Sequence, residues 1–309
     1  MRFTPSISSL RAQGPDPPCA FRSESAVTTA RKRCLTAPSA LTESTPRSNL
    51  RLPRSFSFAR HSAIFVRSDR GIVGPRDLAG KTIGVREFSM TAGLVARGIL
   101  EDEYGFSSAS ARWVYGRTES YDTPPTIRVL ARGIETTSIG ADENLSSLLA
   151  EGHIDALIAY NPPSCFLDGA PKVRRLFPDH VSVERDYFRR TGIFPIMHLV
   201  AVKRELAERR PEICRLLCEA FDRAKNEAYH ALEQYSALPI SLPWAPNALR
   251  ETQALMGKDF WAYGVEANRH AIAAVIRYAT AQGLAARPLS AEEIFVPSVI
   301  DWRATGLLR

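Results

Sequence analysis

From residue 61 onward, short apolar runs alternate with helix-length stretches, and this alternation constrains the fold more than any other feature of the chain. Runs such as HSAIFV, KTIGV, IDALIA and MHLVAV are too short for core helices and are rich in β-branched residues, so they read as strands at 61–66, 81–85, 154–159 and 197–202. A further strand is predicted at 111–114. Helices are predicted at 74–78, with Pro75 at its start, and at 91–104, which Gly105 should stop. Others are predicted at 143–151, 204–209, 212–234, 248–260, 266–282 and 291–294. Strands alternating with helices imply an α/β protein with a mostly parallel sheet covered by helices. Ligands of such sheets bind outside the carboxyl ends of the strands.

Composition separates an unusual head from an ordinary body. All of the net charge of +7 lies in residues 1–60, which hold ten basic and three acidic side chains, while the rest is neutral. A basic face for nucleic acid is therefore not indicated. Residues 1–55 carry 7 of the 21 prolines and many Ser, Thr and Arg, without a strand or helix period, so that head is expected to be disordered. It shows neither the apolar core of a secretory signal nor the amphipathic period of a transit peptide. No run approaches the roughly 18 apolar residues of a membrane span. Five cysteines without metal-ligand spacing fit a reducing cytoplasm; Cys214 and Cys218 share one helix face.

Four strings in the body carry a resemblance: GVREFSMTAGLVARGILEDEYG, RRTGIFPIMHLVAVKRELAERRP, LPWAPNALRETQALMGKDFWAYGVEANR and IRYATAQGL. Together with the layout of HSAIFVRSDRGIVGPRDLAGKTIGV, they resemble the 4,5-dihydroxyphthalate decarboxylase family from about residue 52 to 301. The resemblance implies a two-lobed, type II periplasmic-binding-protein-like fold with the ligand between the lobes. Residues 56–80 plus 196–309 would form lobe one and 81–195 lobe two, joined by crossing strands. It also implies loss of one carboxylate from a hydroxylated aromatic dicarboxylate, giving protocatechuate and CO2. Relatives begin with a stretch of lobe one that residues 1–50 here do not resemble, so lobe one is expected to be incomplete. A solute-binding protein of a transporter, or an inactive truncated product, are the alternatives.

Such a decarboxylation needs a proton donor, a grip on a dianion and a base near the phenols, and no cofactor. Ser89, Met90 and Thr91 open the helix after strand 81–85, where free amides and hydroxyls can hold a carboxylate, although Ser89 or Thr91 could equally be an ordinary cap. His198 and His61, on the two crossing strands, are the candidates for proton transfer, each weighed against a core role. Arg189 and Arg190 could hold a carboxylate bidentately or be a solvated pair, and Arg117 is a weaker candidate. Asn161 follows strand 154–159, where a cleft loop is expected, and is a further binding candidate, although relatives often carry Arg near this position. Trp244 and Trp261 are expected to pack helices.

Overall fold

The computed structural model describes residues 60–123, 125, 134–196, 198–234, 236 and 239–305. The head expected at 1–55 lies outside them. A 3-10 turn, His61–Ala63, leads into β1 (Ile64–Arg67), which is followed by a second 3-10 turn at Pro75–Leu78. Then come β2 (Thr82–Val85), α1 (Thr91–Tyr104), β3 (Arg112–Tyr115), β4 (Thr136–Ser138), α2 (Leu145–Glu151) and β5 (Ala156–Ile158). After α3 (Ser164–Leu167), β6 (Val173–Arg175) and α4 (His180–Thr191), the described chain is helical. Its remaining helices are α5 (Arg204–Arg209), α6 (Pro211–Glu233), α7 (Ala245–Met256), α8 (Val265–Ala281), α9 (Ala291–Ile294) and α10 (Pro297–Ile300).

The six strands form one sheet in the order β4-β3-β2-β5-β1-β6. β2 is parallel to β3 and β5, and β3 to β4, whereas β1 is antiparallel to both β5 and β6. Five strands therefore share one direction and β1 alone opposes them, which gives the expected mostly parallel α/β sheet. Pleating sends Ile64 and Val66 to one face, under α1 with Ile83, Val85, Phe88 and Trp113. Phe65 and Leu157 go to the other, under α2 and α3 with Leu145, Leu149 and Cys165. Gly84 has no Cβ because one would lie 2.8 Å from Ile154 Cδ1. Gly105 ends α1 at φ 67°, the left-handed conformation that glycine adopts without a Cβ clash.

Two expectations are corrected. Lobe one was expected to hold 56–80 with 196–309, but β1 pairs within the same sheet as β2 and β5, so the described residues 60–80 go with the sheet of 81–195. The strand expected at 197–202 is not formed: 198–203 joins no ladder among the described residues, and Leu199 and Val200 are exposed. Alternation makes a segment competent to pair, but a strand exists only where a neighbour offers its edge. β4, β6 and α4 were not expected, and Trp244, expected to pack a helix, is 72% exposed. Trp261 does pack, edge-on to Phe194 at 5.1 Å.

The C-terminal helices are fastened to the sheet layer through α8. Leu94, Val95 and Ile99 of α1 pack with Ala271, Ala274 and Tyr278 of α8, and Asp102 accepts from Arg277 Nη1 at 2.8 Å and from Tyr278 Oη at 2.8 Å. Gly98 lets the two helices approach, since a Cβ there would overlap the Tyr278 ring. Gly98→Ala should therefore cost about 1–3 kcal/mol through overpacking, seen as a lower urea midpoint with an unchanged slope. An unchanged midpoint would show that α8 can move away freely. Farther on, Lys225 Nζ lies between Asp222 (3.1 Å) and Asp259 (2.6 Å), and Asp222 accepts from Thr305 N at 3.1 Å.

Candidate active site

Because five strands run one way, their carboxyl ends line one edge of the sheet, and the start of β1 lies there too. The loops after β2, β3 and β5 are neighbours along it, which brings Ser89–Thr91, Arg117 and Asn161 to adjoining positions. The histidine and arginine pairs are placed differently.

At the start of α1 the capping residue is Met90, in extended geometry and without a side-chain cap, and no side chain among the described residues bonds the first-turn amides. There is no acidic residue in that turn. Neither Ser89 nor Thr91 is thus an ordinary cap, and the positive end of a 14-residue helix is left for another anion. Next to it, the loop after β3 is firmly tied. Leu145 N donates to Arg117 O and Ser146 N to Thr118 O, both at 3.0 Å, and Arg86 pairs with Asp122 at 3.0 Å. Arg117 is half-buried, and its Nη1 donates to Ser120 O at 3.2 Å. Buried Glu119 accepts from Ser164 N (2.8 Å) and Ser164 Oγ (2.7 Å), which joins this loop to the one carrying exposed Asn161.

A second polar cluster occupies the β1–β6 end of the same edge. Glu184, on α4, accepts from Ser62 N at 2.9 Å, and Arg175, at the end of β6, donates to Ser62 O. Burial, the largest influence, raises the Glu184 pKa; the Ser62 amide, His180 and Arg175 oppose it. Arg60 is 3% exposed, with a pKa lowered to about 10 by burial and partly restored by Glu184. His198 is exposed, and its pKa is lowered by desolvation first and by Arg60 second. Arg60 is therefore the common neighbour of Glu184 and His198.

Two expected site residues are corrected. His61 is 1% exposed, turned back beneath the helices, with its ring edge-on to Phe177 (5.0 Å), Tyr187 (5.5 Å) and Tyr104 (6.0 Å). Neither ring nitrogen has a hydrogen-bond partner among the described residues, and burial lowers its pKa to about 4, so it is a neutral core residue. His61 lies in a 3-10 turn before β1 and not on the crossing strand where the cleft reading placed it. Arg190 pairs with Asp186 at 2.8 Å and with Glu103, at the far end of α1 from the free amides. Its guanidinium is already engaged, roughly 18 Å along the helix from Ser89–Thr91. Arg189 is exposed.

A protein from Comamonas testosteroni named 4,5-dihydroxyphthalate decarboxylase is 37% identical over 246 residues, covering 78% of this chain and 74% of the relative. The chain belongs to the 4,5-dihydroxyphthalate decarboxylase family. A Pseudomonas putida protein of the same name is 37% identical over 131 residues, which is 42% of this chain and 51% of that one. No family model matches the chain. Among solved structures, the periplasmic aliphatic sulphonate binding protein of Escherichia coli is 14% identical with a TM-score of 0.37, covering 87% of this chain and 77% of that one. The desulfurization enzyme DSZB is 16% identical with a TM-score of 0.36, covering 76% and 73%. Likeness of that degree has no bearing on what this decarboxylase-family chain does.

Sequence reasoning missed Glu184, Arg175 and Arg60. The one local signal was the helix grammar of α4, with Asp179 capping Ser182 N at its start and Gly192 past its end. A cavity of about 520 Å³ opens elsewhere, between α8 and residues 288–292, but both of its arginines are paired, Arg269 with Glu266 and Glu292, Arg277 with Asp102. Among the described residues, no group of three or more His, Cys, Asp or Glu side chains could hold a metal ion. No described helix is long and apolar enough to cross a membrane.

Proposed function

We propose that the protein is a carboxy-lyase that removes one carboxylate from 4,5-dihydroxyphthalate, giving protocatechuate and CO2. The observation that carries this reading is the 37% identity shared with the Comamonas testosteroni decarboxylase over 78% of the chain. The sheet edge supplies matching chemistry. The retained carboxylate sits at the free amides of α1 with Arg117 and Asn161 beside it. Two strand spacings away, about 10 Å, Glu184 is the proton donor, because burial keeps its carboxyl protonated to higher pH. His198, whose pKa is lowered by desolvation and by Arg60, takes the phenol proton. The ring oxygen para to the leaving group pushes electrons toward the carbon that Glu184 protonates. The C–C bond then breaks, CO2 departs, and its bonding pair restores the aromatic ring.

We place the reaction in the cytoplasm, a reading supported by the free thiols of Cys165, Cys214 and Cys218. The test is to incubate the purified chain with 4,5-dihydroxyphthalate and measure CO2 together with protocatechuate. One of each per substrate consumed is expected. Tight phthalate binding with neither product would instead establish a solute-binding protein, and no binding at all an inactive chain.

A further inference from the structure

One turn beyond the free amides of α1 lies a buried cation that forms no salt bridge among the described residues. Arg97 is 0% exposed, one turn beyond Gly93, the third residue of the helix. Its Nε donates to Gln282 Oε1 at 2.8 Å and its Nη2 to Phe88 O at 2.6 Å, while Nη1 has no partner. The guanidinium stacks on the Phe88 ring, 3.7 Å from its centroid. Both bonded acceptors are neutral, and among the described residues no salt bridge to Arg97 is formed. Nη1 lies toward the first turn, 3.0 Å from where a Cβ on Gly93 would stand.

A fully buried charge without a counter-ion is expensive unless something else compensates it. Burial lowers the Arg97 pKa to about 9, with Glu101 the opposing influence, and at neutral pH the group still carries its charge. Loop 86–90 and the first turn of α1 lie at the carboxyl end of β2, and Arg97 is bonded to that loop through Phe88 O. The same loop carries Phe88 O and Ser89, so the guanidinium also fixes the backbone that presents the amides. We propose that Arg97 is a positioning residue for anion recognition: its charge and its grip on Phe88 O complete a subsite for one carboxylate of an aromatic diacid at the start of α1. This rests on the carboxy-lyase reading of the edge, and it adds the residue that sets affinity there.

The discriminating measurement is the affinity of the full chain for phthalate, a dianion, compared with catechol, which has the phenols but no carboxylate. Arg97→Gln should weaken phthalate about tenfold or more, the scale of a unit charge acting over several ångströms at an intermediate dielectric, and leave catechol within twofold. KM for 4,5-dihydroxyphthalate should rise while kcat changes little. Gln282→Glu is the second variant, since it neutralises the guanidinium in place and keeps the stack on Phe88. It gives up one bond to Leu94 O, so stability is read separately, and the same selective loss of phthalate is expected. If either folded variant weakens phthalate and catechol equally, or neither, Arg97 is only a structural brace and the proposal is overturned. A wild-type chain that binds no phthalate overturns the underlying reading instead, and the two failures are told apart before any variant is made.

Discussion

Glu184→Gln is expected to lower turnover of 4,5-dihydroxyphthalate by a hundredfold or more, the usual worth of a positioned general acid, while phthalate binding stays within about threefold. The isosteric amide still accepts from Ser62 N, the bond that is 2.9 Å in the structure, so the backbone around β1 is undisturbed. What disappears is the proton. Because delivery is needed only in the transition state, kcat should fall and KM should not rise. Burial raises the Glu184 pKa, so the protonated form persists to higher pH than for a free glutamate. The rate should decline as pH rises through that raised value, and this alkaline limb should vanish from what activity remains in the Gln variant. Stability has the same sign, since the native state holds this proton more tightly than the unfolded chain and loses that advantage as pH rises. Full turnover in Glu184→Gln, with loss in His198→Ala, would move proton delivery to His198.

How much of this was legible in the sequence depends on how local each feature is. α1 could be placed at 91–104 because Gly105 follows a run of apolar positions, and Ser89–Thr91, Arg117 and Asn161 could be placed because each follows a strand. β6 was hidden because its residues, VRR, are mostly charged, and α4 because its core-facing positions are few, with Tyr187 its one buried residue. Glu184 gains meaning only when α4 packs against Ser62, 122 residues earlier. Nothing in the string singles out Arg97, because its partner Gln282 comes 185 residues later. The converse error is 198–202, where a strand pattern lacks a neighbouring edge. Tertiary partners decided each of these cases.

His61→Phe should flatten the acid side of the stability profile. The imidazole has a folded pKa of about 4 against 6.5 when free, because burial penalises its charged form and Arg190 adds repulsion. Between those values the unfolded chain binds the proton and the native protein does not, so stability is fully present above pH 6.5 and drains away as pH falls. The loss attributable to this one group is roughly 2 kcal/mol by pH 5 and about 3 kcal/mol by pH 4. Phenylalanine fits the box of Phe177, Tyr187 and Tyr104 and replaces two ring nitrogens that have no hydrogen-bond partner among the described residues. At pH 7 the variant should be at least as stable as wild type, since exchanging an unsatisfied buried polar group for an apolar one of similar shape is neutral or favourable. Urea midpoints at pH 7, 5 and 4 for both chains isolate the effect, because every other titrating group cancels in the difference. Parallel profiles would mean that His61 is protonated in the fold and faces water, which would return it to the edge as a proton carrier. Diverging profiles with undiminished CO2 release would leave it as a core aromatic and confine the chemistry to the Glu184 and His198 side of the edge.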